Sequence, residues 1–161
     1  MNSIIERFPI FLCITSWLFL FSCNKHNETT DDYSKMVEKA VAFNGKQEYD
    51  SAFFYFNKAK LLCKPNETER KIYTLFLMAE IQQIQNDFSG SEETVTEALK
   101  LDAKTMYLPN LYNQLGIAYI ELHDPTNAIS YYKKASSLTS DKLYQLILKN
   151  NIAVVYAENN Q

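Results

Sequence analysis

Apolar positions fall into two regimes along the chain. Phe8 to Phe21 is almost continuously apolar, whereas from Tyr33 onward apolar residues recur three or four apart. The second spacing lays side chains on one face of a helix. Between the two, Asn24 to Asp32 is polar without periodicity and reads as a flexible tether, residues 23–32. The Phe8–Phe21 run is shorter than the roughly 20 apolar residues that a bilayer-spanning helix needs. It has the length of a signal-peptide core, with the small Ser22 at the cleavage position. No alternating run of Val, Ile and Thr asks for a strand. Three glycines and four prolines in 161 residues suit long helices rather than many tight turns. An all-α domain over residues 33–161 is predicted.

The clearest stretch is Tyr112-Asn-Gln-Leu115-Gly116-Ile-Ala-Tyr119, followed after His123-Asp124-Pro125 by Ala128, Tyr132 and Ala135. Two amphipathic helices are implied. Asp124 suits an N-cap, and Pro125 the first helical position, where a missing N–H costs nothing. The small Gly116, Ala128 and Ala135 let two backbones approach, while Tyr112, Tyr119 and Tyr132 fill what remains. The same order of sizes recurs. Upstream, Ala40 and Phe43 precede Tyr49, Ala52, Phe56 and Ala59. In the middle, Leu75, Met78 and Ala79 precede Phe88, Ser91, Val95 and Ala98, with Gln82 where the other copies are aromatic. Ile152, Ala153 and Tyr156 open another copy. The small residues Ala40, Ala79, Gly116 and Ala153 are spaced 39, 37 and 37 residues apart.

This order resembles the tetratricopeptide repeat, a 34-residue helix-turn-helix unit. Tyr112, Leu115, Gly116, Tyr119, Ala128, Tyr132 and Ala135 occupy its signature positions when the unit starts at Pro109. Repeats are expected over 33–66, 72–105 and 109–142, with a partial repeat over 143–161. The resemblance implies a right-handed α-solenoid of about three repeats plus one final helix, because a single unit cannot bury its apolar face alone. Ala52, Phe56, Ala59, Ala79, Ala98, Leu115, Gly116, Tyr119, Ala128, Tyr132 and Ala135 are the expected packing residues. It also implies a concave groove lined by four positions of each first helix. Carried over, these are Ser34, Val37, Val41 and Asn44, then Tyr73, Phe76, Glu80 and Gln83, then Asn110, Asn113, Ile117 and Ile120. Their amides can bond a peptide backbone and their apolar members supply burial. Chaperone-binding members hold a C-terminal carboxylate with a lysine, an asparagine, a lysine and an arginine at positions that here carry Val37, Val41, Asn110 and Gln114. None is a cation, which argues against that clamp.

Leu20-Phe21-Ser22-Cys23 resembles the lipobox of secreted bacterial lipoproteins in Leu20, Ser22 and Cys23, and departs from it at Phe21, a position usually smaller. Residues 1–22 would then be a signal peptide and Cys23 the lipidated first residue. The resemblance implies a bacterial cell-envelope protein, held by its lipid at the periplasmic face or outer membrane. Cys13 would leave with the signal, so Cys63 would be a solitary thiol and no internal disulfide could form. A net charge of −3 with mixed signs offers nucleic acid no attraction.

Catalysis finds little support, and neither a metal nor a cofactor is expected. His26 and His123 have no neighbouring ligand pattern, and no glycine-rich phosphate loop or Gly-x-Ser-x-Gly elbow occurs. Glu92-Glu93 is placed in a first helical turn, where the dipole favours carboxylates. Cys63 is a small packing residue near a helix end. The final helix is apolar on nearly every side from Leu143 to Tyr156. It therefore points either to self-association or to a longer repeat protein of which this is a part. The expected function is a lipid-anchored scaffold binding a protein or peptide. A truncated sensory input region of a longer signalling or transcriptional regulator is the alternative.

Overall fold

The computed structural model describes residues 31–101 and 104–159. The proposed signal peptide, Cys23 and most of the tether lie outside the described residues. Seven helices follow one another: α1 (Asp32–Gly45), α2 (Tyr49–Leu62), α3 (Thr68–Ile84), α4 (Phe88–Leu99), α5 (Leu108–Glu121), α6 (Pro125–Leu138) and α7 (Lys142–Asn159). No strand occurs among the described residues.

Acidic caps start four of these helices. Asp31 accepts from the Ser34 N–H, Asp87 from Gly90 and Asp124 from Asn127, and Asp141 Oδ1 accepts from Leu143 and Tyr144. Each satisfies donors that a helix start leaves unpaired, at about 1 kcal/mol per cap. The tether therefore ends earlier than its composition indicates. Asp31 caps α1 and Asp32 opens it, and Asp31 also pairs with Arg70 of α3 at 2.7 Å. A second difference is α3, which begins at Thr68, one turn ahead of the expected repeat start at residue 72.

The turn inside each helix pair is built one way three times. Gln47, Asn86 and His123 hold positive φ of 61°, 61° and 60°. The next residue donates back across the helix end: Glu48 to the Phe43 carbonyl, Asp87 to Gln82 and Asp124 to Tyr119. A left-handed residue after a helix, with this six-residue hydrogen bond, reverses the chain tightly and satisfies terminal carbonyls.

Each helix packs mainly on its neighbours in the chain, and the core is a row of three clusters. Ala40, Ala52, Phe56, Met78 and Ile81 join α1, α2 and α3. Ile72, Leu75, Ala79, Val95, Ala98, Leu111 and Leu115 join α3, α4 and α5. Ala128, Tyr132, Ala135, Leu148 and Val155 join α6 and α7, with Tyr112, Tyr119 and Ile120 of α5 against them. Each cluster mixes small residues with large ones, and Gly116 lies against the Tyr132 ring. Beyond sequential neighbours, α3 also touches α5, whereas no comparable contact joins α2 to α4 or α4 to α6. On one side α3 and α5 approach one another directly, which no pair of second helices does to the same extent. The result is a right-handed α-solenoid with α1, α3 and α5 lining its inner face.

Candidate partner-binding groove

The inner face carries an open cleft of about 430 Å³ between α1, α3 and α5. Asn44, Glu80, Gln83 and Ile117 line it together, although they come from three successive helix pairs. Leu77 and Ile84 complete the apolar wall, and Ile84 is 52% exposed. Val41 is also exposed on α1, at 51%.

The remaining groove positions have other engagements. Val37 packs against the first core cluster and Ile120 against the third. Tyr73 and Phe76 stack on Tyr107, which follows α4, with ring centroids 5.4 and 5.8 Å apart. Asn110 lines a separate cleft of about 350 Å³ with Met106, Leu143 and Ile147. Asn113 Oδ1 is buried and has no hydrogen-bond partner. Ser34 lies in the capped first turn of α1.

Gln83 is held in place by its neighbours. Its Nε2 donates to Ser91 Oγ at 3.0 Å and to the Gln114 carbonyl at 2.9 Å, and Gln114 Nε2 donates back to the Phe76 carbonyl at 3.1 Å. This reciprocal pair of amides clamps α3 to α5 and sets the spacing of the cleft walls. Gln114, buried at position 6 of its repeat, was legible only as a missing cation. Gln82, where the other copies are aromatic, is buried and accepts from Thr94 Oγ1 at 2.7 Å while donating to Asp87 Oδ2 at 3.2 Å. A polar network there replaces an aromatic ring.

Glu80 makes no ion pair or hydrogen bond among the described residues. The low-dielectric walls around it push its carboxyl above the ordinary range by removing water. The cations at the far end of the α2 and α3 pair have acidic partners there. Lys60 and Lys71 pair with Glu97 at 3.3 and 3.2 Å, and Arg70 pairs with Asp31 and Glu67.

The packing residues sit as follows. Ala52, Phe56, Ala59, Ala79, Ala98, Leu115, Ala128, Tyr132 and Ala135 are buried, with Gly116 against Tyr132. Tyr119 is half-buried, stacked on Tyr131, and its hydroxyl reaches Glu92 Oε1 at 3.4 Å. Glu92 and Glu93 lie in the second turn of α4, because the helix starts at Phe88, and not in the first. Glu92 also accepts from Thr96 Oγ1, so its carboxylate serves packing between helices. Ala153, the counterpart of Gly116, is exposed, since no helix among the described residues covers that side of α7.

Reactive groups stay apart. Cys63 ends α2, its Sγ 3.5 Å from the Ala59 carbonyl, and burial pushes the thiol up, away from the thiolate that a nucleophile needs. Among the described residues no group of three His, Cys, Asp or Glu could hold a metal ion, and no helix is long and apolar enough to cross a membrane.

Residues 109–142, which are α5, α6 and the turn joining them, match the family model described as Tetratricopeptide repeat. The fold is a tetratricopeptide-repeat solenoid. Two solved structures show the same architecture. The TPR2AB domain of yeast Sti1 in complex with pHSP90 aligns with TM-score 0.67 at 20% identity, over 79% of this chain and 48% of that one. The first TPR of Spaghetti (RPAP3), bound to the HSP90 peptide SRMEEVD, aligns with TM-score 0.61 at 15% identity, over 80% of this chain and 94% of the other. At these identities the likeness is one of fold, and this chain spans about half of the Sti1 structure. No curated protein matches the chain.

Proposed function

We propose that the protein is a membrane-anchored interaction scaffold, with Cys23 carrying lipid and the solenoid holding a protein or peptide partner in its inner groove at the bacterial cell envelope. One observation carries the scaffold reading: Asn44, Glu80, Gln83 and Ile117, from three successive tetratricopeptide units, converge on one open, largely apolar cleft. A surface of that composition combines burial with hydrogen-bonding groups, as recognition of a peptide requires. The two structural neighbours hold HSP90 or an HSP90 peptide. This chain has Val37, Val41, Asn110 and Gln114 where a carboxylate clamp carries Lys, Asn, Lys and Arg, so its partner is of another kind.

The anchor rests on the apolar run Phe8–Phe21 and the Leu20–Cys23 tetrapeptide. Acyl chains contribute about 0.8 kcal/mol per buried methylene, so more than one chain gives lasting attachment. The exposed Leu143, Leu146, Ile147 and Val154 of α7 form a second surface, suited to self-association or to a further helix.

The anchor is tested by Cys23→Ala, which should abolish acyl labelling and move the protein into the aqueous phase of a detergent partition; unchanged partition would refute it. The groove is tested by Ile84→Lys, which should release envelope partners that co-purify with the full chain while leaving its melting temperature in place. Partners retained by that variant would place binding elsewhere.

A further inference from the structure

We infer that the cleft between α1, α3 and α5 takes a partner segment bearing a lysine or arginine, its cation against Glu80 and its aliphatic neighbours against Leu77, Ile84 and Ile117. This rests on the groove reading above and specifies the chemistry of the occupant.

Three observations point the same way. Among the described residues Glu80 is the only charged side chain lining the cleft, and none of them pairs with it. A carboxylate exposed at the mouth of an apolar cleft, only partly screened from water and without a charged partner, is complemented by a donor that arrives charged.

The second observation concerns the polar lining. Both bonds of Gln83 Nε2 are made inside the protein, to Ser91 and Gln114, which leaves Oε1 as the atom Gln83 can offer. Glu80 and Gln83 together thus present acceptors. An acidic segment would bring like charge and more acceptors to the same place, a repulsive mismatch that discriminates against it.

The third is shape. About 430 Å³ with one carboxylate and aliphatic walls has room for a long side chain whose methylene stem lies on carbon while its head reaches the acid. Lysine and arginine are the residues built that way.

The test uses the full chain and three fluorescent peptides, identical in a leucine-containing frame except for a central Arg, Gln or Glu. Anisotropy titration should rank Arg above Gln above Glu, with about tenfold between the ends, or about 1.4 kcal/mol. Glu80→Gln should level the three affinities and Glu80→Lys should reverse their order, each with an unchanged melting curve, since the side chain is exposed. An Arg preference that survives Glu80→Gln overturns the inference. Equal affinities in the unaltered protein, all lost in Ile84→Lys, also overturn it while leaving the groove standing. Binding of none of the peptides, or binding indifferent to Ile84→Lys, overturns the groove and the inference together.

Discussion

Gly116→Ala adds one methyl group where α5 lies against α6. A Cβ at that position would stand 2.8 Å from Tyr132 Cζ and closer still to Cδ1 and Cε1, distances that force something to move. The Tyr132 ring cannot swing aside at no cost: it is 4% exposed and packs in a cluster with Ala128, Ala135 and Leu148. Overpacking of this kind costs about 1–3 kcal/mol. Alanine returns about 0.5–1 kcal/mol through its better helix propensity, so the net is a destabilisation of up to about 2 kcal/mol. For a domain of this size each kcal/mol corresponds to roughly 3–5 °C in Tm. Gly45→Ala is the internal control, because a Cβ there meets nothing within 4 Å and its φ is not positive. It should raise stability by about 0.4–1 kcal/mol. Thermal melts followed by helical circular dichroism should therefore show the two substitutions moving Tm in opposite directions. In a Tyr132→Ala background the penalty at residue 116 should vanish, leaving only the propensity gain. A rise in Tm for Gly116→Ala equal to that of Gly45→Ala, or strict additivity with Tyr132→Ala, would refute the close approach as the reason for glycine.

Two further outcomes follow from the helix ends. The Asp31 carboxyl is held at about 2, below its usual 3.8, first by the Ser34 backbone N–H and then by Arg70. Its folded-state pKa is depressed, so its contribution is complete above 3.8 and fades as pH falls towards 2. Asp31→Asn keeps the capping oxygen but removes the titration, and should flatten the fall in Tm across that window; identical acid profiles would count against it. Gln47 holds a φ of 61°, which costs any residue with a Cβ. Gln47→Gly should raise stability by up to about 1 kcal/mol, and Gln47→Val should lower it because a branched Cβ fits that region worst. Chemical denaturation curves would show the opposite shifts, and equal effects of the two would remove the left-handed turn from the explanation.

The repeat was legible because it is a matter of size at fixed spacing. Ala40, Ala79 and Gly116 each stand where only a small residue lets the second helix of its pair come close, and that need is local to some twenty-five residues. The Asp124-Pro125 start was legible for the same reason. The left-handed Gln47, Asn86 and His123 were not, since no glycine marks them; only their common place two residues after each first helix does. The ion pair of Asp31 with Arg70 also escaped composition, because its partner is distant in sequence.

By itself the sequence determined an all-helical ramp of stacked pairs and the set of positions that could face its inner side. The ramp follows from helical period and side-chain volume, which are properties of single segments, and the inner-face positions from the tetratricopeptide resemblance. Tertiary structure alone decided which of those positions remain free for a partner. Tyr107 draws in Tyr73 and Phe76, Gln114 and Ser91 pin Gln83, and Glu80 is left unpaired beside Ile84 and Ile117. Each of these depends on a residue outside the segment itself, from its partner helix, the next helix pair or the loop before it, and no periodicity within one segment can report what its neighbour brings.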